Sequence, residues 1–166
     1  ANQNKLYLLR TELINAGQNY GEGNKQEAFN NFALYVESAK ANLFKEIAAA
    51  KAPDQYLGEV ARVAAVYAFQ NKDMDKANKY VDVALTDTAS YKQALDLKIY
   101  LASQSLKPKS DSIQFANTLQ GLYDKDPKND MVFSQLAAVY QAVGKTAESA
   151  KLIADRLSAD PNNYAA

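Results

Sequence analysis

A four-residue pattern in the last third of the chain recurs after 34 residues. Asp126-Pro127-Lys128-Asn129 returns as Asp160-Pro161-Asn162-Asn163. A period of this length is typical of proteins built from stacked supersecondary units, each too small to bury its own apolar face. The sequence therefore favours an array of similar units over one irregular core.

The residues between these motifs follow the periodicity of amphipathic helices. Apolar side chains recur at three- and four-residue steps, and glycine and proline are scarce, at six and four. The Asn-Gly and Asp-Gly dipeptides of β-hairpins are lacking. We predict eight helices joined by short connections. The first covers about residues 4–20, and the second, over residues 24–52, folds its far end back over Leu6 and Leu9.

Polar residues predict where several helices begin and end. Asn24 with Glu27, and Ser90 with Gln93, have the spacing of a capping box. Asp54 is positioned to cap the third helix. Gly144 is suited to the left-handed residue that ends a helix.

A common motif stands in the first helix of each predicted hairpin. In the fourth hairpin it is Phe133-x-x-Leu136-Ala137-x-x-Tyr140. The matching residues are Leu13, Ala16, Gly17 and Tyr20 in the first hairpin, Val60, Val63, Ala64 and Tyr67 in the second, and Ala94, Leu97, Lys98 and Leu101 in the third. The second helices follow with Ala28 and Phe32, Ala77 and Val81, Phe115 and Leu119, and Ser149 and Ile153. This pattern resembles the tetratricopeptide repeat, W-x-x-L-G-x-x-Y followed by A-x-x-x-F and a Pro.

The resemblance implies an all-α fold. It is an α-solenoid of about four antiparallel helix hairpins (eight helices), wound as a right-handed superhelix. The whole chain, residues 1–166, would form one domain, with repeats near residues 1–52, 53–89, 90–128 and 129–163. Small residues such as Gly17 and Ala77 would let two helix backbones approach closely. Lys98 and Phe115 depart from the pattern, and an unrelated antiparallel helical array or bundle is the alternative.

In this family the first helix of each hairpin lines a concave groove that receives a peptide or a helix. The equivalent positions here are Thr11, Ile14 and Gln18; Ala61, Ala65, Ala68 and Phe69; Lys92, Leu95, Ile99 and Ser103; and Met131, Ser134, Ala138, Gln141 and Ala142. This set is almost uncharged, so we expect an apolar or helical segment rather than the acidic peptide ends that the family's carboxylate clamps hold. The alternative is that the alanines only allow tight coiling and that nothing binds.

The last hairpin suggests a second surface. A solenoid usually ends with a polar capping helix, and few residues follow Asn163. Leu152, Ile153 and Leu157 are therefore predicted to be partly exposed, either because further repeats follow or because this end docks onto a partner or a second copy as a homodimer. A few tolerated exposed residues are the simpler reading.

Composition limits the chemistry. The chain has no His and no Cys, so nucleophile–histidine pairs and the usual zinc and iron ligand sets cannot form. Nineteen basic and 19 acidic residues give zero net charge, which argues against a nucleic-acid partner. The longest apolar run is too short to span a membrane. Asp73 with Asp75, and Asp124 with Asp126, lack the spacing of a calcium loop. We predict no metal and no cofactor.

These observations favour a non-enzymatic protein-interaction or scaffold module. Self-assembly through the solenoid ends is the second hypothesis, and an enzyme based on carboxylates with Lys or Tyr is the third. The chain begins with Ala1, which fits a processed protein or a trimmed one. The abundance of Asn, Gln and Tyr looks like that of helical-repeat proteins of the bacterial cell envelope, so we lean towards a periplasmic or surface location.

Overall fold

In a computed structural model of the chain, residues 2–44, 53–104 and 108–162 are described. Within these ranges the chain forms helices and turns and no strand, which confirms the all-α prediction. The α-helices are α1 (Asn2–Leu9), α2 (Thr11–Tyr20), α3 (Lys25–Ser38), α4 (Leu57–Gln70), α5 (Met74–Ala84), α6 (Tyr91–Gln104), α7 (Pro108–Lys125), α8 (Asp130–Ala142) and α9 (Thr146–Ala159). Short 3₁₀ helices cover Gly21–Gly23 and Asn42–Phe44.

Helices that follow one another in the chain pack as neighbours. The fold divides into two compact units, residues 1–101 and 102–166. In the first unit α2 packs on α3, α3 on α4, and α4 on α5. In the second, α7 packs on α8 and α8 on α9. The first unit thus places two consecutive hairpins, α2–α3 and α4–α5, side by side, and the second unit contains the hairpin α8–α9 with α7 packed against α8. The single domain and the hand of the superhelix stay predictions.

Asparagine and aspartate side chains cap three of the helices. The Oδ1 atoms of Asn24, Asp73 and Asn129 accept hydrogen bonds from backbone N–H groups three residues later, at 3.2, 3.0 and 3.1 Å. The predicted start at Asn24 is confirmed. Ser90 acts differently, because its hydroxyl donates to the carboxylate of Asp87 at 2.6 Å. That bond, with the Ser90 backbone N–H, holds the pKa of Asp87 below its usual value.

Small residues allow the close helix contacts that the repeat pattern predicted. A Cβ atom built on Gly17 of α2 would stand 2.8 Å from the ring of Phe32 on α3. Ala28, Ala64 and Ala77 are fully buried. These contacts leave no room for a larger side chain, so the spacing between helices is set by the small residues.

The first two predicted helices are both shorter than predicted, and Arg10 is involved at both places. The first helix is interrupted at Arg10 and becomes α1 and α2. The second ends at Ser38 rather than continuing; residues 45–52 of its predicted span lie outside the described residues. The Ser38 hydroxyl and the Arg10 Nη2 both donate to the carbonyl oxygen of Tyr35, at 2.8 and 3.0 Å. These two donors satisfy a carbonyl at the C-terminus of α3, where the intrahelical partners run out.

Arg10 joins three segments of the first unit. Its Nε donates to Ser38 Oγ at 2.8 Å, and its Nη2 donates to Asp54 Oδ2 at 3.1 Å. The guanidinium lies over the rings of Tyr7 and Tyr35, at 4.6 and 4.4 Å from their centroids. Asp54 also accepts from the Tyr35 hydroxyl at 2.8 Å. Burial and the Asp54 carboxylate raise the pKa of Tyr35, so the hydroxyl remains a donor.

The early turn of the chain at Ser38 leaves part of α1 uncovered. Leu6 and Leu9, predicted to lie under the second helix, are 49% and 57% exposed. Tyr7 of α1 is half-buried, and its ring meets Phe44 edge to face at 5.4 Å. The prediction that the second helix folds back over α1 is therefore wrong for both leucines.

Lys98 occupies a position where the repeat pattern has a small residue. Its Nζ lies 2.9 Å from Asp82 and donates to Asn78 Oδ1 at 3.1 Å, which links α6 to α5. The side chain is 17% exposed, so its aliphatic part is packed while the ammonium reaches polar partners. A long side chain thus stands where the pattern has a short one, and it bonds to α5.

Gly17→Ala should destabilise the first unit, because the new methyl group would push the buried Phe32 ring out of place. We expect a loss of about 1–3 kcal/mol in the free energy of unfolding, measured by urea denaturation followed by circular dichroism. Gly121→Ala is the matched control, since α7 offers open space there. It should gain about 0.5–1 kcal/mol from helix propensity. Equal stabilisation by both changes would contradict the steric argument.

Arg10→Met should cost about 3 kcal/mol of stability, because it leaves the nearly buried Asp54 without its cation. The same denaturation measurement tests it. Arg62→Met provides the comparison, since Arg62 pairs with Glu59 at an exposed site and should lose less than about 1 kcal/mol. Similar losses in the two variants would show that the Arg10 network contributes no more than a surface ion pair.

Candidate functional site

A groove of about 660 Å³ lies in the first unit, between α2 and the start and middle of α4. Its lining consists of Thr11, Ile14, Asn15, Gln18, Phe32, Tyr56, Glu59, Val60, Val63 and Tyr67. Six of these residues are apolar or aromatic, and the others are small or neutral polar groups with one carboxylate. The volume and the mixed lining are those of a typical ligand site.

Helical spacing places the lining residues on two facing stripes. On α2, Ile14 and Gln18 are one turn apart and point to the same side. On α4, Val60 and Val63 are likewise about one turn apart and lie on the same side of the helix. Phe32 of α3, 3% exposed, forms the floor, and its ring stacks on Tyr67 at 5.7 Å with an interplanar angle of 21°. The floor is therefore aromatic and rigidly packed.

Glu59 is the one charged residue among the described residues that line the groove. Both of its oxygens accept hydrogen bonds from Arg62, at 2.6 Å from Nη2 and 2.8 Å from Nε. This pairing also raises the pKa of Arg62. Because the guanidinium fork satisfies the carboxylate, the groove offers a nearly neutral surface.

A smaller cavity of about 170 Å³ shares Thr11 and Tyr56 with the groove. Arg10 and Asp54 contribute to its wall. Their ion pair fixes the chain just before α4, and with it the position of Tyr56, whose backbone N–H donates to Asp54 at 3.1 Å. The buried arginine thus sets one end of the groove.

The predicted groove residues of the first hairpin come together in this site. Thr11, Ile14 and Gln18 all line it. In the second hairpin, Ala61 and Ala65 are fully buried in the core and present no surface to a ligand, and Ala68 is 1% exposed.

The turn after α4 shows that the repeat motif of the second hairpin has a different register from the predicted one. Lys72 has a positive φ of 63°, as Gly144 has a φ of 81° after α8. The next residue donates its N–H to Ala68 O in the first case and to Tyr140 O in the second. Ala68, not Tyr67, is therefore the counterpart of Tyr140, and the motif in α4 is shifted by one residue.

Seven residues that line the groove are missing from the predicted set: Asn15, Phe32, Tyr56, Glu59, Val60, Val63 and Tyr67. Aligning Asp73 with Asn24 as helix caps, 49 residues apart, places Val60, Val63 and Tyr67 of α4 at the positions of Thr11, Ile14 and Gln18 of α2, and is the sequence signal that would have found them.

The other predicted groove residues lie outside this site. Phe69 is half-buried and meets Tyr100 edge to face at 5.4 Å. On α6, Lys92 is exposed, Ile99 is half-buried and Leu95 is 1% exposed.

The fourth hairpin belongs to the second unit. Ser134, Ala138 and Gln141, with Met131 and Ala142, are exposed along one face of α8. In the predicted end surface, Leu152 is buried, Ile153 is half-buried and Leu157 is 39% exposed. Leu152 is therefore part of the interior, whereas Leu157 lies at the surface.

The second unit has a cavity of its own, of about 680 Å³, beside Arg156. The guanidinium is buried, donates to the carbonyl oxygens of Pro127 and Lys128, and pairs with Asp130. It also lies over the ring of Phe133 at 5.3 Å. These contacts hold the turn between α7 and α8, so we assign Arg156 a structural role.

The described part of the chain contains no group of three or more acidic, His or Cys side chains arranged to hold a metal ion. None of the helices in the described ranges is both long and apolar enough to cross a membrane.

Comparison of this chain with known protein families, curated proteins and solved structures gives no match.

Proposed function

We propose that this chain is a non-catalytic protein-interaction module of the tetratricopeptide-repeat type, whose groove in the first unit holds an apolar segment of another protein. The observation that carries the proposal is the open groove of about 660 Å³ between α2 and α4. Three of its lining residues, Thr11, Ile14 and Gln18, are positions that the family resemblance assigns to ligand binding.

The packing around the groove supports the family assignment. α3 packs against both α2 and α4, so the first helices of two successive hairpins stand on either side of it. Gly17 and Ala77 stand at the family's small-residue positions, with Gly17 against Phe32 and Ala77 fully buried. This is the arrangement in which stacked hairpins create a concave surface.

The chemistry of the lining favours binding over catalysis. Proton transfer or nucleophilic attack needs a side chain whose proton affinity is tuned to the task. Glu59, the charged group of the lining, accepts hydrogen bonds from Arg62 at both of its oxygens. The apolar stripe of Ile14, Val60 and Val63 offers burial to a ligand rather than a reactive group.

Ile14→Lys should weaken ligand binding strongly while leaving the fold intact. A phage-displayed library of random peptides selected on the full chain should enrich sequences that bind it. Those peptides should bind Ile14→Lys at least 30-fold more weakly, because their apolar side chains would meet an unpaired ammonium group. Fluorescence anisotropy measures the affinities, and circular dichroism confirms the helix content.

Asn19→Lys is the matched control, because Asn19 is exposed on the same helix and does not line the groove. It should bind the selected peptides like the unaltered chain. A selection that enriches no peptide, or peptides that bind Ile14→Lys and Asn19→Lys equally well, would contradict the proposed site.

A further inference from the structure

Three neutral side chains of the groove have no hydrogen-bond partner within the described part of the chain. These are Gln18 on α2, Tyr56 just before α4, and Tyr67 on α4. No buried side-chain nitrogen or oxygen among the described residues lacks a partner. Gln18 and Tyr56 are exposed, and the half-buried Tyr67 has no enclosed, unpartnered hydroxyl, so the polar groups of all three remain available to donate to a ligand in the groove.

The remaining polar groups of the groove are already engaged. Glu59 accepts hydrogen bonds from Arg62, Asn15 Nδ2 donates to Glu12 at 3.1 Å, and the Thr11 hydroxyl donates to Leu8 O at 2.9 Å. A ligand that complements this surface carries no charge and offers hydrogen-bond acceptors between apolar groups. A partner charge would find no unpaired opposite charge there and would lose its hydration.

Aromatic rings form much of the surface between these donors. Phe32 and Tyr67 are stacked at the floor, and Tyr56, 46% exposed, stands at the rim. Flat rings of this kind bind the faces of apolar side chains and of proline rings, with a hydroxyl at the edge free to bond.

We propose that the groove binds a proline-rich segment in the polyproline II conformation, which refines the proposed function and rests on it. A polyproline II strand makes no internal hydrogen bonds, so all its carbonyl oxygens are free to accept. Proline has no backbone N–H, so such a strand brings acceptors without donors. That matches a groove in which the unused groups of Gln18, Tyr56 and Tyr67 can each donate.

A helical ligand fits these groups less well. Inside a helix the carbonyl oxygens are bonded to N–H groups four residues later, so few remain for the groove. The two hydroxyls and the amide would then be covered without partners, which costs free energy on binding. Aromatic-lined grooves with hydroxyl and amide donors are the usual receptors for preformed polyproline II segments.

The test is a titration of the ¹⁵N-labelled full chain with a ten-residue polyproline peptide, acetylated and amidated at its ends, followed by NMR. Saturable shifts should appear at the amides of α2 and α4. Tyr56→Phe with Tyr67→Phe keeps both rings and removes both hydroxyls, so the dissociation constant should rise about tenfold. Tyr20→Phe, exposed and outside the groove lining, should leave it unchanged.

A capped, Leu-containing amphipathic helical peptide in a parallel titration separates this inference from the proposed function. Suppose that the helical peptide binds, that Ile14→Lys removes this binding, and that the polyproline peptide does not bind. The inference is then wrong and the proposed function stands. If the polyproline peptide binds equally well to the double Tyr→Phe variant, the hydroxyls do not select it and the inference is also wrong. If neither peptide binds and the library yields nothing, both proposals fall.

Discussion

The buried guanidinium of Arg10 is the interaction on which the first unit depends. A charge held at 5% exposure is tolerated only when its hydrogen bonds and its opposite charge are close by. Arg10 finds them in two separate segments: at the end of α3, in the Tyr35 carbonyl and the Ser38 hydroxyl, and in Asp54 before α4. Meeting that requirement fixes where one hairpin ends and the next begins, and so fixes one end of the groove.

The second unit uses the same device at a different place in its hairpin. Arg156, on the last helix, also donates to backbone carbonyl oxygens and to an aspartate near the start of a helix, and also lies over an aromatic ring. In both units the connection between helices is held by a side chain that reaches across more than 20 residues of sequence. The repeat pattern describes the helix contacts, and these arginines hold the turns.

Local features of the fold could be predicted from the sequence, and long-range ones could not. The helix start at Asn24 depends on a side chain and a backbone N–H three residues away, which the sequence displays directly. The end of α3 at Ser38 depends on Arg10, 28 residues earlier, and no periodicity reports that contact. The register of α4 was missed for another reason, because Lys72 adopts the left-handed conformation that glycine usually marks.

The groove depends on the close packing of Phe32 against Gly17. The absence of a side chain there lets the Phe32 ring lie against α2, and the same ring stacks on Tyr67 of α4. Phe32 is thus both the contact that joins two hairpins and the floor of the space between their first helices. A ligand in the groove would press on the ring that holds the hairpins together. Binding there should therefore stabilise the first unit as a whole, since the ligand would favour only the state in which Phe32 is packed.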